Sequence, residues 1–237
     1  MNSQIKITME KLIKNNHTIL QSYKGEKNSI KNKYIVKSID SYLCKDWLLN
    51  KHYAKRLCSI SYSFGLFENN ILIGILTIGK PASPQLCNGV CGIENSMYVY
   101  ELNRLCVNDN LERNVLSFFV SKSLKLIKDN MILISYADTL QGHNGYIYQA
   151  TNFIYTGATK ERTDIGFEDG KHSRHYNKNI DYSIRKFRSS KHRYIYLLGK
   201  LKNKFLKELK YKIEPYPKGE NKRYDASYKP SIQTELF

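Results

Sequence analysis

The short run Met131–Ala137 constrains the fold of this chain more than any other stretch of its sequence. Its residues are almost all apolar, which is typical of a strand at the centre of a sheet that is covered on both faces. Apolar residues recur at helical spacing over Val115–Ile127, after a capping-box pattern at Asp109–Glu112. A second helix is predicted from an N-cap at Asn144 to Asn152, a residue type that suits the left-handed conformation ending a helix. Strands and helices therefore alternate in this half of the chain.

The remaining elements extend the alternation. The predicted elements are a helix from Asp40 to about Lys55, the strands Ser59–Phe67 and Ile71–Ile78, a loop over Gln85–Asn95, the strand Tyr98–Val107 and a last strand over Phe153–Thr156. The asparagines between the first two strands suit a tight hairpin turn. We therefore expect an α/β (α+β) core with a mixed central sheet flanked by helices.

Three segments are expected along the chain. Residues 1–33 form a polar lead-in, residues 34–160 the core, and residues 161–237 a basic C-terminal extension that packs on the core. The extension includes a lysine-rich helix predicted over Lys200–Lys212. No run of about 18 apolar residues and no signal peptide is present, and five cysteines make an odd number, so a soluble intracellular protein with reduced thiols is expected.

The formal net charge of +17 is concentrated in one region. Between Lys171 and Arg223 there are 17 Lys and Arg against 4 Asp and Glu, which is +13 of that total. Basic residues interleaved with tyrosines are typical of nucleic-acid binding, because Lys and Arg displace counterions from phosphates. A solvated lysine-rich face is the alternative. The residues expected to contact DNA are His172, Arg174, His175, Arg185, Lys186 and Arg188.

Polar residues at the predicted strands and helices are the candidate site. Asp138 follows the central strand, where α/β folds place their chemistry, and a carboxylate there could accept a proton or orient a substrate. Arg104 lies inside a strand and needs a partner, either Glu101 or a phosphate. Ser121, on the preceding helix, could hydrogen-bond a cofactor or substrate. His52 and Tyr53 could hold a redox metal such as iron, although strict metal motifs are absent and Cys87 and Cys91 form only a lone pair.

Several segments resemble those of Mom-like phage DNA-modification proteins. They are YELNRLCVND, LSFFV, SYADTLQGHNGYIYQATNFIYTG and KHSRH, between about His52 and His175. The order of elements also resembles the GNAT acyltransferase fold, in which a helical Tyr followed by Gly-Phe protonates the thiolate of coenzyme A. Tyr148 occupies that position here, with Asn152 in place of the glycine.

The resemblance implies that adenine N6 in DNA is converted to a carbamoylmethyl derivative, in the cytoplasm of a bacterial host, which protects phage DNA from restriction. A bulky group in the major groove blocks readout of the adenine edge. The target base would be flipped out of the duplex or taken single-stranded. A basic symmetric homodimer would suit duplex DNA.

The resemblance also implies acetyl-CoA as donor, with its pyrophosphate near Asn108, Arg113 and Asn114. This loop departs from the usual GNAT pattern, because it lacks glycine and contains the acids Asp109 and Glu112. Two alternatives to DNA modification therefore stay open at this point: an acetyltransferase acting on RNA or protein amines, and a DNA-binding phage protein that has lost its activity.

Overall fold

A seven-stranded mixed sheet organises the protein. The computed structural model describes residues 30–165 and 185–219. The strands are β1 (Tyr34–Ser38), β2 (Tyr62–Glu68), β3 (Ile71–Gly79), β4 (Val99–Val107), β5 (Met131–Asp138), β6 (Ile154–Ala158) and β9 (Lys191–Leu198), in the spatial order β1-β2-β3-β4-β5-β9-β6. A separate two-stranded ribbon joins β7 (Arg162–Ile165) to β8 (Arg185–Arg188). The predicted α/β class with a mixed central sheet is confirmed.

The N-terminal half of the sheet is antiparallel. β2 and β3 form the predicted hairpin, and Asn69 and Asn70 make its turn with φ of 49° and 63°. Asparagine tolerates this left-handed conformation better than most residues do, which is why a turn forms here. The β2–β3 core positions are buried on both faces, so their sequence lacks a polar–apolar alternation.

The helices that accompany the sheet in the described part of the chain include α1 (Pro84–Cys91), α2 (Val115–Leu126), α3 (Tyr146–Ala150) and α4 (Lys202–Lys207). Helix α2 carries the predicted apolar face, and its buried residues Phe119 and Val120 join the main core. Asn152 has a φ of 63° after α3, as predicted. None of the helices among the described residues has the length and apolar character that a bilayer crossing needs.

Three local predictions were wrong. The helix expected from Asp40 to Lys55 is a 3-10 turn and a π-helical turn that end at Lys51. The loop expected over residues 85–95 contains α1, because the Ser83 hydroxyl accepts from the Leu86 amide and Pro84 occupies the first turn. Helix α4 is shorter than the lysine-rich helix that was predicted.

The capping box before α2 does not form. Asn114, in the left-handed conformation, precedes the helix without a side-chain cap. The two acids of the pattern have other partners: Asp109 pairs with Lys51, and Glu112 pairs with Lys33. Both lysines lie more than 50 residues away in the sequence, so the local pattern gave no sign of them.

Strand β9 lies inside the sheet, one strand from its edge. It pairs antiparallel with all eight residues of β5 and, on its other side, with β6. The boundary predicted at residue 160 therefore does not separate the central sheet from the rest of the chain. The part of the extension up to residue 219 continues along β6, where the Glu214 amide donates to Tyr155 O at 3.0 Å.

Candidate active site

The site forms where β4 and β5 separate. The two strands pair in parallel only as far as Glu101 and Ile134, although β4 continues to Val107 and β5 to Asp138. The Ser135 hydroxyl then donates to the carbonyl oxygen of Leu102 at 3.0 Å. Beyond this contact the strands diverge, which leaves backbone groups and side chains of both strands available to a molecule inserted between them.

Asp138 lies at the C-terminal end of β5, as its position in the sequence suggested. Its Oδ1 accepts from the Leu140 amide at 3.0 Å and from the Ser189 hydroxyl at 2.6 Å, and its Oδ2 lies 3.1 Å from Lys191 Nζ. Burial raises the pKa of this carboxyl, but the Ser189 hydrogen bond and the Lys191 ammonium outweigh burial and lower the pKa overall. Asp138 is therefore an ionised acceptor at neutral pH. A carboxylate has about four lone-pair positions, so about one remains for a ligand.

Tyr148 lies on α3 and faces the diverging strands. The helix follows Gly145, whose φ is 73°. An added Cβ at Gly145 would lie 2.3 Å from the ring of Tyr194, so this position requires glycine. The ring of Tyr148 packs at 5.2 Å from the rings of both Phe153 and Tyr194.

The electrostatic environment of Tyr148 favours its protonated form. Burial raises the pKa of the phenol strongly. A hydrogen-bond interaction with Ser135 lowers this pKa but does not outweigh burial. Tyr53 and Glu101 also raise the pKa of Tyr148. The side chain therefore keeps its proton at neutral pH and is a hydrogen-bond donor or an acid.

A bulge in β4 brings Glu101 and Arg104 to the same face. Thr77 pairs with Arg104 and Ile78 with Leu102, so Asn103 is an extra residue on β4. The Asn103 amide holds this bulge by accepting from Thr77 Oγ1 at 2.6 Å and donating to Ser59 O at 2.8 Å. Without the bulge, residues three apart on a strand would point to opposite faces.

Glu101 and Arg104 have contrasting environments. Burial raises the pKa of Glu101, and Arg104, Lys191 and Arg56 oppose that shift. The Arg104 side chain donates through one terminal nitrogen to Asn103 O at 2.6 Å, while its Nε is buried with no hydrogen-bond partner. A buried unpaired donor is costly, so this atom is suited to a ligand acceptor.

His52 and Tyr53 border the same cluster. Their rings stack at 4.4 Å, and Tyr53 meets His143 edge-on at 6.1 Å. Burial lowers the pKa of His52 to about 3, helped by Arg104 and Arg56, and burial raises the pKa of Tyr53. Asp138 and Arg104 also act on Tyr53, so the side chains predicted as metal ligands lie beside the predicted catalytic carboxylate.

The arrangement gives no support to iron. His52 Nδ1 accepts from the Ala54 amide at 3.1 Å. Over residues 30–165 and 185–219, no cluster of three or more His, Cys, Asp or Glu side chains is arranged to hold a metal ion.

The loop between β4 and α2 replaces glycines with asparagines. Asn110 and Asn114 have φ of 61° and 69°, in the left-handed region that glycine usually occupies. Asn108 Oδ1 is buried without a hydrogen-bond partner, and Arg113 is exposed. The two acids of this loop, whose negative charge disfavours a bound phosphate, are both paired with lysines: Asp109 with Lys51 and Glu112 with Lys33. The Lys51 side chain is only 3% exposed. The residues thus fit a pyrophosphate at the start of the twelve-residue α2.

Ser121 lies half-buried on α2, and the structure gives it no direct partner in the site. Its predicted role stays a prediction. Two positions further, Ser123 is fully buried and its hydroxyl has no hydrogen-bond partner.

Only some of the basic residues predicted to contact DNA are among the described residues. His172, Arg174 and His175 lie outside the described residues, and Arg185 and Lys186 are described only by their backbone in β8. Arg188 Nε contacts Asp164 Oδ2 at 3.0 Å, and Asp164 also pairs with Arg162. The ribbon β7–β8 leads directly into Ser189 and Lys191, which hold Asp138.

The sequence predicted Asp138, Tyr148, Arg104, His52 and Tyr53 as site residues, and the structure brings all five to one cluster. Glu101 was predicted only as a partner for Arg104, and His143 and Arg56 were not predicted as site residues. The strand order, the separation of β4 from β5 and the polar cluster between them define an α/β protein whose candidate active site lies between two diverging strands.

Comparison with known proteins specifies the family. Residues 33–218 match the model of the Mom protein family, and the chain belongs to that family. Methylcarbamoylase Mom of Escherichia phage Mu is 28% identical over 204 residues, which cover 77% of this chain and 83% of the phage Mu protein. The predicted Mom-like identity is thereby confirmed.

Solved structures with a similar arrangement are acetyltransferases. A Bacillus subtilis acetyltransferase in complex with CoA is 13% identical, with a TM-score of 0.35, and the match covers 70% of this chain and 99% of the other. A GNAT family acetyltransferase from Elizabethkingia anophelis with acetyl-CoA bound is 14% identical, with a TM-score of 0.39 and coverage of 70% and 99%. The fold of this chain is defined by its own strand order and by the separation of β4 from β5.

Proposed function

We propose that this enzyme modifies the exocyclic N6 of adenine in DNA, converting it to a carbamoylmethyl derivative from an acetyl-CoA-type donor, and so protects the DNA from restriction. The observation that carries this proposal is the pair of Asp138, an ionised acceptor, and Tyr148, a protonated donor, at the separation of β4 and β5. The phage Mu relative, a methylcarbamoylase, supports the nature of the transferred group.

The donor would bind along β4 and the start of α2. The left-handed Asn110 and Asn114 shape the loop, and the first amides of α2 would hold the pyrophosphate with help from Arg113. Asn108 Oδ1, which is buried without a partner, would accept from an amide or hydroxyl of the pantetheine arm. When bound, the donor supplies a two-carbon unit as a thioester.

Tyr148 would act at the sulfur end of the donor. A phenol with a raised pKa keeps its proton, so Tyr148 would stabilise the thiolate released when the C–S bond breaks by donating a hydrogen bond to it. The tight packing against Phe153 and Tyr194 holds the ring in one position.

Asp138 and Glu101 would have different roles at the adenine, one as a hydrogen-bond acceptor and the other as a base. Asp138 accepts a hydrogen bond from N6–H and orients the amino group, because its lowered pKa makes it a good acceptor and a weak base. Glu101, whose pKa is raised, is better suited to take the proton that N6 loses as the new N–C bond forms. The unpaired Nε of Arg104 would bind a carbonyl oxygen of the transferred group.

The balance of this reaction requires two co-reactants. Joining N6 to the methyl-derived carbon removes one hydrogen from N6 and one from that carbon, which is a two-electron oxidation, so an oxidant takes part. The amide nitrogen requires a nitrogen donor, which displaces the thiolate. Ordinary acetyl transfer needs neither, because it joins nitrogen to the carbonyl carbon.

DNA would be held by the basic extension. The segment from residue 171 to residue 223, with a charge of +13, includes strand β8 of the ribbon that leads into the site. Adenine N6 is inaccessible to a cleft of this kind while the base is stacked, so the base would be flipped out, at a cost of about a few kcal/mol.

Nucleoside mass spectrometry of DNA from bacteria that express the chain tests this function. We expect a deoxyadenosine adduct of carbamoylmethyl mass and resistance of that DNA to restriction enzymes whose sites contain the modified adenine. Unmodified DNA together with acetylated RNA or protein would overturn the proposal in favour of amine acetylation. Unmodified DNA with tight, salt-sensitive DNA binding would indicate a DNA-binding protein without this activity.

A further inference from the structure

A short turn next to Asp138 presents a leucine to solvent. The turn is a 3-10 helix, Thr139–Gln141, which Asp138 caps by accepting from the Leu140 amide at 3.0 Å. The side chain of Leu140 is nevertheless 69% exposed. Its backbone thus touches the proposed acceptor carboxylate, while its apolar side chain projects away from the protein at the mouth of the site.

This turn is held from both ends. The Thr139 amide and hydroxyl both contact Ser190 O, at 3.2 Å and 2.7 Å, which ties the turn to the base of the ribbon. On the other side, the Gly142 amide donates to Thr139 O at 2.9 Å and the His143 amide to Asp138 O at 3.1 Å. These bonds fix the backbone of the turn, so the direction in which the Leu140 side chain leaves the backbone is defined.

Two exposed aromatic side chains lie on segments next to Asp138. Tyr146, at the start of α3, is 67% exposed, and Phe187, on the ribbon strand β8, is 53% exposed. Both belong to segments that adjoin Asp138, and Phe187 lies next to Arg188 in the basic extension. A single exposed leucine is ordinary on a protein surface. Leu140 differs from such a residue because hydrogen bonds fix its backbone and because its amide donates to the ionised Asp138.

We propose that Leu140 is the wedge that enters the duplex and fills the space left by the flipped adenine. This inference rests on the proposed modification of adenine in DNA. Apolar side chains inserted between base steps compensate part of the cost of unstacking. Because the Leu140 amide donates to Asp138, insertion of the side chain would place the extruded base next to the carboxylate that binds its amino group.

The test compares two duplexes that differ only opposite the target adenine, with thymine in one and an abasic site in the other. The abasic site lowers the cost of extruding the adenine. We expect Leu140→Ala to lower the modification rate of the paired duplex by about tenfold or more, and that of the abasic duplex by about twofold or less. Leu140→Met, which keeps the apolar volume, should modify the paired duplex at close to the unsubstituted rate.

Leu206→Ala is the matched control, because it removes another exposed leucine, on α4, away from the cluster around Asp138. It should modify both duplexes as the unsubstituted protein does. Equal rate losses of Leu140→Ala on both duplexes, or no loss on either, would overturn the wedge while leaving the proposed function intact. If the unsubstituted protein modifies neither duplex under conditions in which it is folded, the proposed function itself fails.

Discussion

At the scale of single residues, the surroundings shift the pKa values of two carboxyl groups of the site in opposite directions. Asp138 receives hydrogen bonds from Leu140 and Ser189 and a nearby ammonium from Lys191, and these lower its pKa in spite of burial. Glu101 has charged neighbours but no comparable set of direct donors, so burial dominates and its pKa is raised. Groups whose pKa values are pushed apart in this way commonly divide acceptor and base roles.

Glu101→Gln tests the base assignment. We expect kcat to fall by roughly 100-fold or more, which is the usual range for loss of a general base. The unsubstituted enzyme should lose activity as the pH falls through the raised pKa of Glu101, because the base must be ionised, and the variant should lack this acidic limb. A pH profile of kcat for both proteins measures this. An unchanged acidic limb in Glu101→Gln would assign it to another group.

His52 links stability to pH. Its folded-state pKa is lowered from 6.5 to about 3, so below pH 6.5 the unfolded chain binds a proton that the folded protein does not, and stability falls as the pH falls. Between pH 7 and pH 4 this amounts to roughly 3 kcal/mol in the free energy of unfolding. Urea unfolding at both pH values should show a larger loss in the unsubstituted protein than in His52→Asn, whose amide oxygen can still accept from the Ala54 amide. Equal losses would contradict the lowered pKa.

Single residues were also where the sequence was most informative. Asp138 and Tyr148 were identified because a strand end and a family motif each mark one position. The shared face of Glu101 and Arg104 could not be predicted, because it depends on a bulge at Asn103 that contacts with Ser59 and Thr77 hold in place. Such contacts between distant segments leave no local pattern in the sequence.

At the scale of elements, the loop before α2 decides whether the donor can bind. The loop lacks the glycines of the usual pattern, and this absence weakens the sequence-based expectation that acetyl-CoA binds there. Two asparagines adopt the left-handed conformation instead, and both acids pair with lysines from distant segments. Local sequence identified the residues of the loop, but not its conformation or its charge balance, which tertiary pairing sets.

Substitutions at Asn114 test this account of the loop. Asn114→Gly should keep the left-handed conformation and bind coenzyme A with an affinity within about threefold of the unsubstituted protein. Asn114→Val places a β-branched residue at a φ of 69°, so it should destabilise the protein by about 1–3 kcal/mol and weaken binding. Calorimetric titration with coenzyme A and urea unfolding measure the two effects. Equal binding by both variants would show that the loop conformation is not needed.

At the scale of the whole molecule, the C-terminal extension is part of the sheet. Strand β9 separates β5 from β6, so these two strands of the predicted core meet only through residues 191–198. The core was predicted to end near residue 160 because a polar stretch follows. The apolar run Tyr194–Leu198 is a local strand signal, but its pairing with β5, on the other side of that stretch, leaves no local pattern. The same topology connects the basic ribbon directly to Asp138.

Truncation at residue 160 measures the contribution of β9. The shortened chain leaves all eight residues of β5 without their antiparallel partner, so we expect it to lack a cooperative unfolding transition in urea, which the full chain should show. Circular dichroism measures the urea unfolding of the truncated chain and of the full chain. A truncated chain with a cooperative transition would show that residues 34–160 form a core that is stable alone.

The central claim, that the site joins a donor carbon to adenine N6 in DNA, is tested most directly with the purified protein. The full chain is incubated in cell extract, which supplies the oxidant and the nitrogen donor, with duplex DNA and acetyl-CoA carrying ¹³C in its methyl group. Mass spectrometry of the digested DNA should detect ¹³C in a deoxyadenosine adduct of carbamoylmethyl mass. Asp138→Ala should give no adduct and bind the same duplex almost as well. Label that reaches protein or RNA amines but not deoxyadenosine would contradict the account.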